Sequence, residues 1–456
     1  MSDPRCVSLD GFPDLADLHA GFPERYPHLL ESVARGTPQA RHDILFAFPG
    51  AHLRWDGAVV ALDGVARGEG FLDALDGWWR AESRAPAPPS ALPFSGGWFL
   101  FLSYELAESI EPCLAPLRRD ARLPVALATR FPAAIVRDHV ERRCWLVSED
   151  DDRADARLAR MRADLATLRA SPADVELVDW QEEDPDRYRA RIARVLDYIR
   201  AGDVFQVNLS RGWHARLARA PRPVDVYRRL RAANPAPFAG LMRLDAERAV
   251  ISSSPERLVS VRDGRIVTRP IAGTYPRGRD AADDLARTRE LPRNPKERAE
   301  HVMLLDLERN DLGRVCATGS VRVAERLVVE SYRHVHHIVS QVEGRLRAGV
   351  TPAQVIRAVF PGGTITGCPK VRTMQIIAEL EDGARGAYTG SMGYLNRDGS
   401  LDLNILIRTL VQDGATIAWR AGGGIVADSQ VERELDETRA KARGLLNALC
   451  PAEATA

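Results

Sequence analysis

Two short acidic signatures stand far apart in this chain, Glu297-Arg298-Ala299-Glu300 and Glu434-Leu435-Asp436-Glu437. Carboxylates three residues apart share one face if the segment is helical. Four of them brought together repel one another and hold protons more tightly unless a cation neutralises them. Mg²⁺ suits that role, because it is a hard ion that takes a few carboxylates and keeps water or substrate oxygens. The spacing therefore points to a metal-dependent enzyme acting on an anionic substrate. Taken alone, each pair is more simply read as a solvated helix face, since exposed Glu at helical spacing is ordinary.

Other residues could do chemistry beside them. Ser252-Ser253-Ser254-Pro255-Glu256-Arg257 ends a strand and turns at proline, and Glu256 there suits a general acid if burial favours its protonated form. With Glu256 in solvent the same segment is only a serine-stabilised turn. Arg269–Thr274 places Gly273 and Thr274 at another turn. Pro361-Gly362-Gly363-Thr364-Ile365-Thr366-Gly367-Cys368-Pro369-Lys370 carries three glycines and two threonines, so its backbone can approach a ligand and present N–H donors to an anion. Its spacing is not that of a nucleotide-binding G-x-x-x-x-G-K-[ST] loop, and a structural turn fits it as well. Ala421–Val426 is a second Gly-rich stretch, with Lys441 following. Arg408 could clamp a carboxylate through two parallel hydrogen bonds, or form a surface ion pair. His337 could donate to a substrate oxygen or simply pack.

These residues must be positioned by strands and helices in irregular succession. Short apolar or alternating runs (Val204–Leu209, Ala249–Ser253, Leu258–Val261, Ile266–Thr268, Leu403–Leu410, Ile417–Arg420) predict strands. Amphipathic patterns at Val355–Val359, Met374–Leu380 and Glu434–Leu449 predict helices. The absence of a regular strand–helix alternation favours α+β with antiparallel sheets over a doubly wound parallel sheet. Ala85-Pro86-Ala87-Pro88-Pro89-Ser90 reads as a loop. Strand-like Arg143–Val147, polar Ser148–Arg153 and a helical pattern through Leu158, Met161, Leu165 and Leu168 come before polar Gln181–Pro185 and a helix around Tyr188–Ile199. The sequence thus divides into 1–150, a connecting segment 151–185 and a main region 186–445.

A chain of 456 residues is long enough for two or three domains, and its 63 basic residues equal its 63 acidic ones. That balance supplies no electrostatic footprint for nucleic acid. Six scattered cysteines without C-x-x-C spacing predict neither a zinc site nor a disulfide framework. The polar N-terminus lacks a signal-peptide core, and the most apolar short run, Gly97–Leu102, is a buried strand rather than a membrane span. The expectation is a soluble cytoplasmic protein.

In combination the motifs carry more than they do singly. Gly202–Leu209, Ser252–Arg257, Arg269–Thr274, Lys296–His301, Asp306–Asp311, the 361–370 loop, Arg385–Gly390 and Ala421–Ser429 with Glu434, Glu437 and Lys441 occur in order. The chain resembles the chorismate-utilising enzymes: anthranilate, aminodeoxychorismate, isochorismate and salicylate synthases. The likeness covers about residues 186–445 and reaches the N-terminal part through Leu29–Ser32 and Gly96–Trp98. It implies the anthranilate synthase component I-like fold, with antiparallel sheets packed as a sandwich and flanking helices.

The resemblance further implies that Glu297, Glu300, Glu434 and Glu437 surround Mg²⁺, which bridges to the ring carboxylate of chorismate. Glu256 matches the family's general acid for the departing 4-hydroxyl. Gly273, Thr274, Gly367, Arg408, Gly424 and Lys441 match positions holding the substrate's two carboxylates. His337 matches an active-site histidine, and Tyr388 lines the same cavity. Leu29–Ser32 matches a tryptophan-binding element.

Members that use water carry a lysine base where Gln206 stands. A glutamine cannot deprotonate water, so ammonia is the expected nucleophile. Gln206–Leu209, Asn234–Phe238, Arg41–Ile44 and Gly362–Gly367 resemble aminodeoxychorismate synthase component I. Anthranilate synthases more often show a second valine after the glutamine. Ala272 departs from this, since some aminodeoxychorismate synthases have a lysine there, proposed to attack C2, whereas anthranilate synthases have alanine. No Gly-x-Cys-x-Gly motif is present, so a separate glutaminase subunit is the expected ammonia source. The aminating reaction at C4 is the first expectation, and conversion to anthranilate plus pyruvate is the alternative.

Overall fold

The computed structural model describes residues 4–34, 40–84, 92–169, 173–331 and 335–450, with the side chains of Ala272, Thr274, Pro276, Pro295, Lys296 and Val335 outside that description. The loop expected at 85–90 lies outside the described residues. Two 12-stranded sheets carry the fold, with antiparallel pairing throughout the described ladders. In the strand Gln206–Leu217, buried Trp213, Ala215 and Leu217 alternate with exposed His214 and Arg216, the period that one covered face imposes. The strand Gly97–Leu102 is buried at every position, as its unbroken apolar run requires.

The sheets meet face to face. Phe46 of the first and Phe99 of the second pack edge to face with ring centroids 5.4 Å apart. Ile44, Val136, Met242, Phe101 and Met392 extend the same layer. Each such side chain contributes about 1.5–3 kcal/mol by leaving water. Helices Leu15–Gly21, Ala154–Ala166, Pro223–Ala233 and Val431–Leu449 cover the outer face of the first sheet. Helices Phe71–Glu82, Pro295–Gly313 and Pro352–Val359 cover the second. This is the α+β antiparallel sandwich with flanking helices expected from the sequence. Both sheets draw strands from before residue 150 and after 186, as in the pairs Leu29 with Leu241 and Phe99 with Tyr394. The division drawn in sequence is therefore not a division between sheets. Among the described residues no helix is long and apolar enough to cross a membrane.

Two crossings between the sheets place the functional residues. The strand Arg248–Ser254 belongs to the first sheet and Arg257–Arg262 to the second, so Pro255 and Glu256 form the crossing. The strand Leu401–Asn404 belongs to the second sheet and Thr409–Asp413 to the first, and residues 405–408 cross back. The crossings bind each other: Ser253 N–H donates to Arg408 O at 3.0 Å, and Ile405 N–H to Glu256 O at 3.0 Å. The single strand expected over Leu403–Leu410 is thereby corrected. Ile405 and Leu406 are buried at the seam, so the apolar run continues while the pairing partner changes, and Arg408 adopts a positive φ of 54°.

Candidate functional site

Glu256 is 5% exposed. Thr364 Oγ1 donates to its Oε1 at 2.7 Å, and the Ile271 N–H donates to it as well. Burial is the main cause that pushes its pKa up to about 7, helped by nearby Glu308 and opposed by Thr364 and Lys441. A carboxyl so placed stays substantially protonated near neutrality, as a general acid must.

Around it the fold gathers cations and neutral donors. Arg408 Nη1 donates to the Lys441 carbonyl at 3.1 Å. Burial lowers the Arg408 pKa, while Tyr388 and Glu437 act in the other direction. Lys441 Nζ donates to Gly422 O at 2.9 Å and pairs with Glu437 Oε1 at 2.6 Å. His337, in the strand Val335–Arg345, is buried and lies opposite Thr274 in the ladder. Burial lowers its pKa to about 4, and Arg408 and Lys441 act in the same direction. Its imidazole is therefore neutral at pH 7, a hydrogen-bonding group rather than an acid. Burial raises Tyr388 to about 12, so its hydroxyl keeps its proton.

Glycine is required where backbone and side chains crowd. A β-carbon on Gly424 would stand 2.1 Å from Gln206 Nε2, and one on Gly422 2.8 Å from the Tyr388 hydroxyl. Gln206 opens its strand, is buried, and its Oε1 accepts no hydrogen bond within the described residues. Gly367, with φ of 136°, lies against the Gln206 carbonyl. Gly273, with φ of 74°, lies against Glu297 Oε2. Thr274 occupies the expected turn by its backbone; its side chain lies outside the described residues.

Both acidic signatures are helical, as their spacing predicts: Glu297 and Glu300 lie on Pro295–Gly313, and Glu434 and Glu437 on Val431–Leu449. Glu434 is buried and its Oε1 accepts from Ser429 Oγ at 2.7 Å. Glu434 Oε2 and Glu437 Oε1 converge over Gly423, 3.4 and 3.6 Å from where its β-carbon would stand. Four carboxylates offer the hard oxygen donors that Mg²⁺ takes, and the bare backbone at Gly423 leaves room in front of two of them. Among the described residues no three acidic, histidine or cysteine side chains are drawn together as a ligand set. The structure thus brings Glu256, His337, Tyr388, Arg408, Glu437 and Lys441 into one electrostatically connected cluster. Gln206, Gly424 and, through Gly273, Glu297 adjoin it, and Glu300 lies one turn further along the helix Pro295–Gly313.

Residue-by-residue reading missed Thr364 as the partner of Glu256, and Glu308, Asp311 and Lys370 behind it. One signal was available. Glu297 and Glu300 recur as Glu308 and Asp311 after eleven residues, about three helical turns, which puts all four along one face.

The chain matches the model of the family described as "chorismate binding enzyme" over residues 62–447. It is 42% identical to anthranilate synthase component 1 of Thermus thermophilus, over 93% of this chain and 92% of that protein. It is 38% identical to aminodeoxychorismate synthase component 1 of Klebsiella aerogenes, over 98% of this chain and 100% of that protein. Among solved structures, anthranilate synthase component I from Streptococcus pneumoniae superposes with a TM-score of 0.80 at 31% identity, covering 90% of this chain and 93% of that one.

Proposed function

Because the chain belongs to the chorismate-binding enzyme family, we propose that it aminates chorismate to 4-amino-4-deoxychorismate, for 4-aminobenzoate and folate synthesis in the cytoplasm, with ammonia from a separate glutaminase subunit. The observation that carries this reading is Glu256, a buried carboxyl poised to be protonated beside Lys441. Hydroxide leaves poorly, so the reaction needs a proton at the 4-oxygen as the C–O bond breaks, and Glu256 supplies it. Arg408 and Lys441 hold the two carboxylates. Neutral His337 and protonated Tyr388 donate hydrogen bonds without competing for the proton. Gln206 offers an amide, which orients ammonia and cannot activate water.

Mg²⁺ is part of the proposal, with Glu297, Glu300, Glu434 and Glu437 as the residues that would hold it. When bound, it would neutralise the ring carboxylate and let it withdraw electrons from the ring.

Amination at C4 is favoured over anthranilate formation by the patterns at 41–44, 206–209, 234–238 and 362–367. Ala272 then implies direct attack of ammonia, without a lysine adduct. A cavity of about 420 Å³ beside Leu30, Glu31, Ser32, Phe238 and Tyr394 is proposed to take tryptophan. It would act as an effector or structural ligand, since the cavity's lining contains none of the catalytic cluster.

The deciding experiment incubates the purified chain with chorismate, Mg²⁺ and ammonium, and separates the products. A product that a lyase converts to 4-aminobenzoate sustains the proposal. Fluorescent anthranilate plus pyruvate overturns it. Full activity and unchanged Mg²⁺ dependence in Glu300→Ala or Glu434→Ala would remove that residue from the metal site.

A further inference from the structure

The stretch 361–370 does more than approach a ligand. Its Gly363 N–H donates to Glu308, its Thr364 hydroxyl donates to Glu256, and Lys370 pairs with Asp311. Three grips thus fasten one loop to Glu256 on one side and to the helix Pro295–Gly313 on the other. A β-carbon on Gly363 would stand 3.1 Å from Glu308 Oε1, so the contact depends on bare backbone. Glu308 and Asp311 are both buried, and neither is assigned a part in the reaction above.

We propose that Glu308 is a positioning residue: the adjacent grips of Gly363 and Thr364 set its buried carboxyl near Glu256, and that like-charged neighbour keeps Glu256 loaded. The inference rests on Glu256 being the acid of the proposed amination. Facing Glu256 are Glu308, the cation of Lys441, and the donors Thr364 and Ile271. Facing Glu308 are Asp311, Lys370 and Gly363. Lys370 and the Thr268 hydroxyl act to lower Glu308, but Lys370 is shared with Asp311, and burial together with Asp311 outweighs them. Burial raises both Glu256 and Glu308; Glu308 adds to the shift of Glu256, and Asp311 to that of Glu308. Two adjacent buried carboxyls titrate as a pair, because the second ionisation must be made against the first.

In turnover the C–N bond forms as the C–O bond breaks. The oxygen leaves with the bonding pair and takes the proton from Glu256, departing as water. The surplus proton on the newly bonded nitrogen restores the pair. Atoms and charge balance with chorismate and ammonia alone.

The test is the pH profile of kcat at constant free ammonia for wild type, Glu308→Gln, Glu308→Asp and Glu256→Gln. Removing the neighbouring charge should let Glu256 ionise earlier, moving the alkaline limb down by about one pH unit. Turnover at pH 7 then falls about fivefold, approaching tenfold at higher pH, the deficit narrows as the pH is lowered, and KM for chorismate stays unchanged. Glu308→Asp should restore the limb. An unmoved or raised limb in folded Glu308→Gln overturns the inference. An infrared titration of Glu256→Gln against wild type tests it without altering Glu308: the remaining carboxyl should ionise at lower pH, and an unmoved midpoint is equally fatal. If Glu256→Gln keeps full turnover, the acid role itself fails. If it is inactive while the limb of Glu308→Gln does not move, only the partnership fails.

Discussion

Thr364→Val removes one hydroxyl and leaves a side chain of the same shape, so it isolates the 2.7 Å hydrogen bond to Glu256. A hydrogen bond to an ionised group contributes about 1.5–3 kcal/mol, against about 0.5–1.5 kcal/mol for a neutral one. The hydroxyl thus favours the carboxylate over the acid by on the order of 1.4 kcal/mol, or one pKa unit. Glu256 is buried, so little of this is lost to solvent screening. Without the hydroxyl its pKa should climb from about 7 by roughly one unit, and the alkaline limb of kcat should move up with it. The direction is opposite to that expected for Glu308→Gln, which makes the two variants a matched pair. The assay follows ammonium-dependent turnover across pH, with total ammonium adjusted to hold free ammonia constant and prevent its own titration from shaping the curve. A limb that stays put or moves down in folded Thr364→Val would refute the assignment of Glu256 as the titrating acid.

Gly424→Ala and Gly367→Ala should fail differently. The first pushes against the flexible end of Gln206, so the chain should fold and lose turnover with ammonium; the second meets the Gln206 backbone at φ 136°, so it should lower the melting temperature sharply. Equal thermal loss in both would contradict this. Arg385 is buried and donates to Glu381 Oε1 at 2.7 Å, to Asn208 O at 2.7 Å and to Ile365 O at 3.1 Å. Arg385→Met leaves Glu381 to Arg420 and Ser210 but strands the buried Asn208 and Ile365 carbonyls, and should cost about 1–3 kcal/mol in denaturant unfolding; a loss within experimental error would refute that role. Acid should destabilise the fold through histidines buried neutral: His28 is lowered to about 3 and His337 to about 4, chiefly by burial. Their folded values lie below the unfolded one, so the unfolded chain binds protons first. Stability is then lost as the pH falls from about 6.5 toward those values. His28→Gln should flatten that decline by on the order of 2 kcal/mol between pH 6.5 and 5, and an unchanged slope would exclude it.

Much of the site was legible in the sequence because the chemistry constrains residue type at fixed separations. Glu-x-x-Glu could report one face of a helix before any helix was seen, and both segments are helical. The ordered motifs from Gly202 to Lys441 carried the family, and with it the antiparallel sandwich. Local pattern alone also located some of the strands, among them Gly97–Leu102, Arg143–Ser148, Arg248–Ser254 and Arg257–Arg262, and the helices at 352–359, 370–380 and 431–449.

What sequence could not decide was electrostatic environment, because burial and Coulomb contacts arise between segments distant along the chain. Glu256 reads more simply as a solvated turn residue than as a proton donor until the crossing between sheets closes over it and Thr364, more than a hundred positions later, caps it. The apolar run through Leu403–Leu410 concealed a change of sheet, since hydrophobic periodicity records burial and not the partner. The two Glu-x-x-Glu pairs themselves came from residue spacing. The convergence of Glu434 and Glu437 over Gly423, and the Glu308–Asp311 pair behind the acid, came only from tertiary structure, where helix and loop meet in three dimensions.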